Sequence, residues 1–242
     1  MNRTALITGA SKRIGKEITE HLAEIGWNVI IHFNRSAEDA IMLAQQLGEK
    51  YPGQLFSSVM ANLGNSHEVQ SLIPGIVSES GPFDLLINNA SVFDKAYLKD
   101  TSEKLFDAQL DVNLKAPFLL IRDFVVYCKK GNIINFVDTR ITSNKSNFAA
   151  YSLSKKTLWE LTKMAALELA PEIRVNAIAP GVTLAPADEG EEYLQKLAAE
   201  IPMKRPGGVE PILKSLDYIF ENSHLTGQLL FADGGENLGK NV

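Results

Sequence analysis

A doubly wound α/β fold, one parallel sheet with helices on both faces, is what this sequence predicts, and three observations predict it. Short apolar runs alternate with helical stretches along the chain, and strands separated by helices pair in parallel. The first run, Arg3 to Thr8, meets its helix through a glycine-bearing turn, Thr8-Gly-Ala-Ser-Lys-Arg-Ile-Gly15. Gly9, Arg35, Asn62, Asn89, Asp138 and Pro180 all fall at or just after predicted strand ends, the edge at which such sheets bind ligands.

Taken in order, Arg3 to Thr8 is a buried strand, and Lys12 to Ile25 carries a helical stripe at Ile14, Ile18, Leu22 and Ile25. Strand Trp27 to Phe33 is followed by a helix near Ala37 to Leu47, a strand near Gln54 to Met60, a helix near Ser66 to Val77 and a strand at Phe83 to Asn88. A longer helical region runs from about Ser102 to Cys128, and the apolar strand Asn132 to Val137 ends at Asp138. The helix from about Phe148 to Leu169 stops before Pro171, whose ring disfavours helical backbone in the residue preceding it. Strand Ile173 to Ala179, the breaker pair Pro180-Gly181, a charged helical stretch from about Ala187 to Glu200 and strand Gln228 to Phe231 complete a Rossmann-type order.

The 242 residues contain no internal repeat and no Pro/Gly/Ser linker, so one domain over 1–242 is expected. A composition of 45% hydrophobic and 22% charged residues is that of a globular protein. A net charge of -5 without a basic cluster leaves no electrostatic footprint for nucleic acid or an anionic membrane. Apolar runs are broken by charge well short of a membrane span, and the lone Cys128 cannot form an intramolecular disulfide. A cytoplasmic protein with a small-molecule substrate and no metal site is expected.

At the first turn, Gly9 and Gly15 allow main-chain amides to approach a pyrophosphate at the helix N-terminus, with Ser11, Arg13 and Ile14 between them. The dinucleotide fingerprint with three glycines is absent. The second strand leads into Asn34-Arg-Ser36 with no acidic residue. Arg35 and Ser36 can donate to a 2′-phosphate that an aspartate would repel, which predicts NADPH/NADP+ over NAD. Asn62, followed by Leu63, either bonds an adenine edge or caps its own turn. Asn88-Asn89-Ala90-Ser91 either lets the backbone run beside a cofactor or is a loop held by asparagine bonding.

Tyr151 and Lys155 lie four residues apart, on one face of a helix, and so address one cavity. A phenol is a reluctant proton donor; a cation at about 4 Å favours phenolate by up to roughly 4 kcal/mol before screening. The expectation is therefore a tyrosine drawn toward the working pH, where general acid catalysis is most efficient. Lys155 can also donate to ribose hydroxyls. Thirteen positions before the tyrosine, Asp138 offers a second polar group.

Together the first turn, the Asn-Asn-Ala-Ser run, Asp111-Val-Asn113-Leu-Lys115, Tyr151-Ser-Leu-Ser-Lys155, Arg174-Val-Asn-Ala-Ile-Ala-Pro-Gly181 and the closing Thr226-Gly-Gln-Leu-Leu-Phe-Ala-Asp-Gly-Gly235 resemble the short-chain dehydrogenase/reductase family from end to end. The resemblance implies that Tyr151 donates the proton, that Lys155 tunes it and holds the ribose, and that Asn113 keeps a water in a proton relay. It also implies that Pro180, Gly181 and Thr183 lie beside the nicotinamide, that a loop and helix at about 183–207 close over substrate, and that the assembly is a homotetramer. The outer stripe of the Tyr151 helix, including Trp159, is available for such packing.

Three positions depart from the family: Arg13 replaces the turn's middle glycine, Asn62 its acid after the third strand, and Asp138 its catalytic serine. Arg13, His32-Phe-Asn-Arg-Ser36, Asn88-Asn-Ala-Ser-Val-Phe93 and Asp138 together resemble the pteridine reductase branch. That resemblance implies that Arg13 faces cofactor phosphate and substrate, that Phe93 stacks on a pterin ring, and that Ser91, Asp138 and Tyr151 complete the substrate site. A carboxylate accepts hydrogen bonds and cannot polarise a ketone oxygen as serine does, but it suits a ring N–H. The expected activity is NADPH-dependent reduction of a dihydropterin-like C=N bond. Two alternatives are a carbonyl reductase acting on a 3-oxoacyl thioester or small ketone, and a catalytically silent NADP(H)-binding sensor.

Overall fold

The computed structural model describes residues 3–185 and 189–239. The apolar runs become strands β1 (Thr4–Ile7), β2 (Asn28–Phe33), β3 (Phe56–Met60), β4 (Leu85–Asn88), β5 (Gly131–Phe136), β6 (Ile173–Pro180) and β7 (Leu229–Ala232). Between them run α1 (Arg13–Glu24), α2 (Ala37–Lys50), α3 (Ser66–Ser80), α4 (Glu103–Leu110), α5 (Ala116–Cys128), α6 (Ala149–Leu169), α7 (Glu191–Ala198) and α8 (Glu210–Glu221). All seven strands pair in parallel in the order β3-β2-β1-β4-β5-β6-β7.

Successive side chains of a strand point to opposite faces, and the two cores follow from that alternation. Ala5, Ile7, Val29 and Ile31 pack under α1, α2 and α8, against Ile18, Leu22, Leu43 and Leu216. Leu6, Leu86, Ile133 and Val175 face the other way, under α3, α5 and α6, against Ile73, Leu120 and Ala166. Each such leucine or isoleucine, fully buried, contributes roughly 1.5–3 kcal/mol. The order of strands reverses between β1 and β4, so the helices that follow them leave on opposite faces and open a crevice at the carboxyl ends of the strands.

The expected helix Ser102 to Cys128 is continuous but not uniform: a π-helical turn at Asp111–Lys115 joins α4 to α5. Helix α8 was not anticipated, although Ile212, Leu216 and Ile219 form a buried stripe at helical spacing. The charged stretch expected from Ala187 to Glu200 is helical over Glu191–Ala198, and its expected start at Ala187 lies outside the described residues. Among the described residues no helix is long and apolar enough to cross a membrane.

Candidate active site

The crevice begins at the turn after β1. Gly9 has φ +63°, a conformation L side chains rarely adopt, and a Cβ there would meet the Cα of Ala90 at 3.1 Å. Gly15 is more constrained still: a Cβ would fall 2.1 Å from the Gly9 carbonyl oxygen. Not every amide of the turn is free. Gly9 N–H donates to His32 Nδ1 at 3.1 Å, and Ala10 N–H donates to the His32 carbonyl at 2.9 Å. The free donors lie further on, at the start of α1, where Lys12 supplies no capping side chain and the first turn holds no acid. An uncapped helix N-terminus in a glycine cradle is a site for an anion.

Arg13 takes φ +53°, which explains why this position suits glycine and which costs an arginine roughly 1–2 kcal/mol. Its guanidinium donates to the carbonyls of Ala185 at 2.9 Å and Leu184 at 3.3 Å, so it spans from the turn to the loop beyond β6. Ile14 is partly buried against the core. Ser11 Oγ donates to Ser36 Oγ at 3.2 Å, while Asn34 and Arg35 are exposed beside them.

At the end of β3 the capping alternative holds: Asn62 Oδ1 accepts from Gly64 N–H at 3.0 Å and Asn62 N–H donates to Glu68 at 2.7 Å. The Leu63 side chain is only 6% exposed, packed in the core, so any contact it makes with a ligand would be through its backbone. Asn89 sews the fourth strand to the first turn, donating through Nδ2 to the carbonyls of Thr8 at 2.9 Å and Gly9 at 3.1 Å. Ala90 N–H donates to Thr8 Oγ1 at 3.0 Å. At the end of β6, Pro180 and Gly181 run against the turn after β7: a Cβ on Gly181 would lie 2.6 Å from Asp233 Cα. Thr183 is buried with its hydroxyl on the Gly181 carbonyl at 2.9 Å.

Across the crevice, Tyr151 and Lys155 lie on α6 and are both buried. The Tyr151 hydroxyl donates to Asp138 Oδ2 at 2.8 Å, and Asp138 Oδ1 accepts from Arg140 N–H at 2.8 Å. The expected effect of Lys155 on the phenol is not what this arrangement gives. Burial first, then the Asp138 carboxylate, push Tyr151 well above the usual tyrosine range. Lys155 Nζ lies 5.9 Å from the Tyr151 ring centre and donates instead to the Phe136 carbonyl at 2.8 Å. Burial lowers that ammonium to about 8, opposed by the Asp138 charge. Burial and the directly bonded carboxylate, not the ammonium, dominate the phenol.

Asn113 sits in the π-helical turn, fully buried, with its side chain committed. Its Oδ1 accepts from Ser91 Oγ at 3.0 Å and Val92 N–H at 2.9 Å, while Nδ2 donates to the Val92 carbonyl, Gln109 and Ser154. It braces the Ser91 loop against the Tyr151 helix. Single-turn π segments recur at functional sites for such reasons.

Phe93, 53% exposed, stacks on Phe148 with ring centres 4.3 Å apart and 8° between planes. The Tyr151 ring meets it edge-on at 4.6 Å. Arg140 lies over Phe148 at 4.3 Å and within 5.9 Å of Phe93. Phe148 and Arg140 were missed in the sequence, since neither belongs to a recognisable motif; only their nearness to Asp138 and Tyr151 in the chain hints at them. Glu236, in the turn after β7, is pushed up by burial and by Asp138 and Asp233. The site thus gathers a phenol, a carboxylate, an ammonium and an aromatic shelf beside an anion-binding turn, the parts needed to hold a planar polar ring and move a proton to it.

Comparison with known proteins places the chain among relatives of one family. Residues 3–194 match the family described as short chain dehydrogenase. A FolM alternative dihydrofolate reductase 1 from Brucella canis, solved complexed with NADP, is 34% identical with a TM-score of 0.92, over 100% of this chain and 96% of that one. The corresponding Brucella suis structure, also with NADP, gives 34% identity and a TM-score of 0.93, over 100% and 97% of the two chains. In sequence, the 3-oxoacyl-(acyl-carrier-protein) reductase FabG of Staphylococcus epidermidis is 31% identical over 243 residues, covering 97% of this chain and 99% of the relative.

Proposed function

The chain belongs to the short-chain dehydrogenase family, and from that premise we propose that it is an NADPH-dependent reductase of a dihydropterin-like substrate, acting on a ring C=N bond. The observation that carries this proposal is the 2.8 Å hydrogen bond from Tyr151 to the Asp138 carboxylate. The residues fit NADP(H): glycine is required at 9 and 15, the first amides of α1 are uncapped, and Arg35 and Ser36 stand where a 2′-phosphate would need donors. Both Brucella relatives carry NADP. Ser11, Arg13, Ile14, Asn34, the Asn62 and Leu63 backbone, Asn89, Ala90, Ser91, Pro180, Gly181, Thr183 and Lys155 would complete that site. Bound NADPH supplies a hydride to the ring carbon.

The protein's own part is the proton. A phenol beside a carboxylate is held protonated, so Tyr151 is always loaded but is a weak acid. Nitrogen that has lost its double bond to carbon is a stronger base than the corresponding alkoxide, and can take a proton from such an acid. Tyr151 gives that proton to the ring nitrogen; the hydroxyl is then reloaded from solvent or through Asp138. Asp138 accepts hydrogen bonds from ring N–H groups, and Phe93 with Phe148 offers the shelf on which the ring stacks. Lys155, largely protonated at neutral pH, stabilises the site's negative charge and holds the ribose.

The second reading, a carbonyl reductase of 3-oxoacyl thioesters or small ketones, is favoured by the 31% identity to FabG. Incubation with NADPH and dihydrobiopterin, dihydromonapterin, dihydrofolate or acetoacetyl thioester, followed at the nicotinamide absorbance, separates them. Turnover of a dihydropterin is expected; turnover of the thioester alone would overturn the proposal. The proposal also includes a substrate-closing segment at about 183–207, of which 186–188 lie outside the described residues, a cytoplasmic location suited to the unpaired Cys128, and a homotetramer. Exposed Leu153, Met164 and Leu167 on α6 support the last of these.

A further inference from the structure

We infer that His32 is a positioning residue for the cofactor, its imidazole fixing the glycine turn after β1 relative to the end of β3. The inference rests on the NADP(H) reading above and gives a role to His32, which opens the His32-Phe-Asn-Arg-Ser36 run but is not itself among the expected cofactor contacts. β2 lies between β1 and β3 in the sheet, so a side chain near its carboxyl end can reach the exits of both neighbours. His32 Nδ1 lies 3.1 Å from Gly9 N–H, and Nε2 lies 3.0 Å from the Ala61 carbonyl. An amide N–H only donates and a carbonyl only accepts, so the tautomer is fixed: the proton is on Nε2 and the lone pair on Nδ1.

The imidazole is therefore neutral and fully used, and only 1% exposed. Its own carbonyl takes the Ala10 N–H at 2.9 Å, so main chain and side chain together fix two successive amides of the turn. Both side-chain partners are main-chain groups beyond strand ends, each next to or one residue from a predicted cofactor contact: Gly9 and Ala10 precede Ser11, and Ala61 precedes Asn62. A histidine that merely filled the core would have no reason to bridge two loops on the ligand side of the sheet. An apolar residue of similar volume would leave a part-buried amide and a buried carbonyl without this partner.

The test is NADPH binding, read by nicotinamide fluorescence on the cofactor-free protein, beside its thermal midpoint. Binding to the unmodified chain is measured first; its absence would overturn the cofactor reading itself, whatever His32 does. His32→Asn keeps an acceptor near the Nδ1 position, His32→Gln keeps a donor near Nε2, and His32→Leu keeps neither. We expect the dissociation constant to rise about tenfold in His32→Leu, and more than twofold but less in the two amides. Dissociation constants within twofold of the unmodified chain in every variant, with only the midpoint lowered, would overturn the inference. Should His32→Leu fail to fold, the amide variants decide on the same criterion: a rise above twofold in either supports positioning, and neither rising overturns it.

Discussion

Around the turn at residues 8–15, short polar side chains hold main-chain amides and carbonyls in place, whereas around Tyr151 charged and aromatic side chains hold one another. Asn89 bonds two successive carbonyls of the turn and His32 takes one of its amides, so the surface offered to a ligand there is mostly backbone. Opposite, the Tyr151 hydroxyl, the Asp138 carboxylate and the stack of Phe93 on Phe148 present themselves as side chains. The difference teaches where each kind of specificity resides. A backbone site depends on the space glycine leaves and on the few side chains that hold its amides and carbonyls. A side-chain site changes character with one charge.

The largest expected effect breaks the side-chain half alone. Tyr151→Phe should lower kcat by about 10³-fold while leaving the NADPH dissociation constant within about twofold, measured by steady-state kinetics and by fluorescence titration. Retained turnover would remove Tyr151 from the proton step.

The next concerns the backbone half and pH. Burial lowers His32 from 6.5 to about 4, so the unfolded chain takes up this proton before the folded chain does. The contribution to stability is complete above about pH 6.5 and is lost as pH falls toward about 4, worth at most roughly 3 kcal/mol. Denaturant unfolding of the wild type should show this acid-side loss, and His32→Asn should flatten it. An unchanged profile in the variant would contradict the assignment.

Gly15→Ala is a smaller test of the same half. The added methyl carbon meets the Gly9 carbonyl, and relief of the clash should cost roughly 1–3 kcal/mol in stability or cofactor binding, seen as a lower thermal midpoint and a weaker NADPH titration. Phe93→Leu is smaller again: loss of ring stacking should raise KM for a dihydropterin by several-fold, about 1 kcal/mol, with kcat nearly unchanged.

The alternation of apolar strands with amphipathic helices was legible because period and length are local properties, and the pairing of parallel strands followed from it. Helix α8 is equally legible from Ile212, Leu216 and Ile219, although a glycine pair, Gly207-Gly208, stands just before it. Tyr151, Lys155 and Asp138 could be picked out by spacing, and the structure brings them together. The direction of the Tyr151 shift could not, because it depends on how much water the fold removes and on which charge ends up nearer. Leu63 turning into the core, the commitment of the Asn113 side chain and the two-sided grip of His32 are likewise properties of three-dimensional neighbours. Phe148 and Arg140 join the site only because the segment after β5 folds back beside α6.

In the function proposed above, the Asp138 carboxylate directs this site to a ring C=N bond. The most direct measurement is kcat/KM of Asp138→Ser against wild type, with a dihydropterin and with acetoacetyl thioester under the same conditions. The ratio of dihydropterin to thioester efficiency should fall about tenfold or more, from a lost charge-assisted hydrogen bond. Equal change in both efficiencies, leaving the ratio where it was, would contradict it.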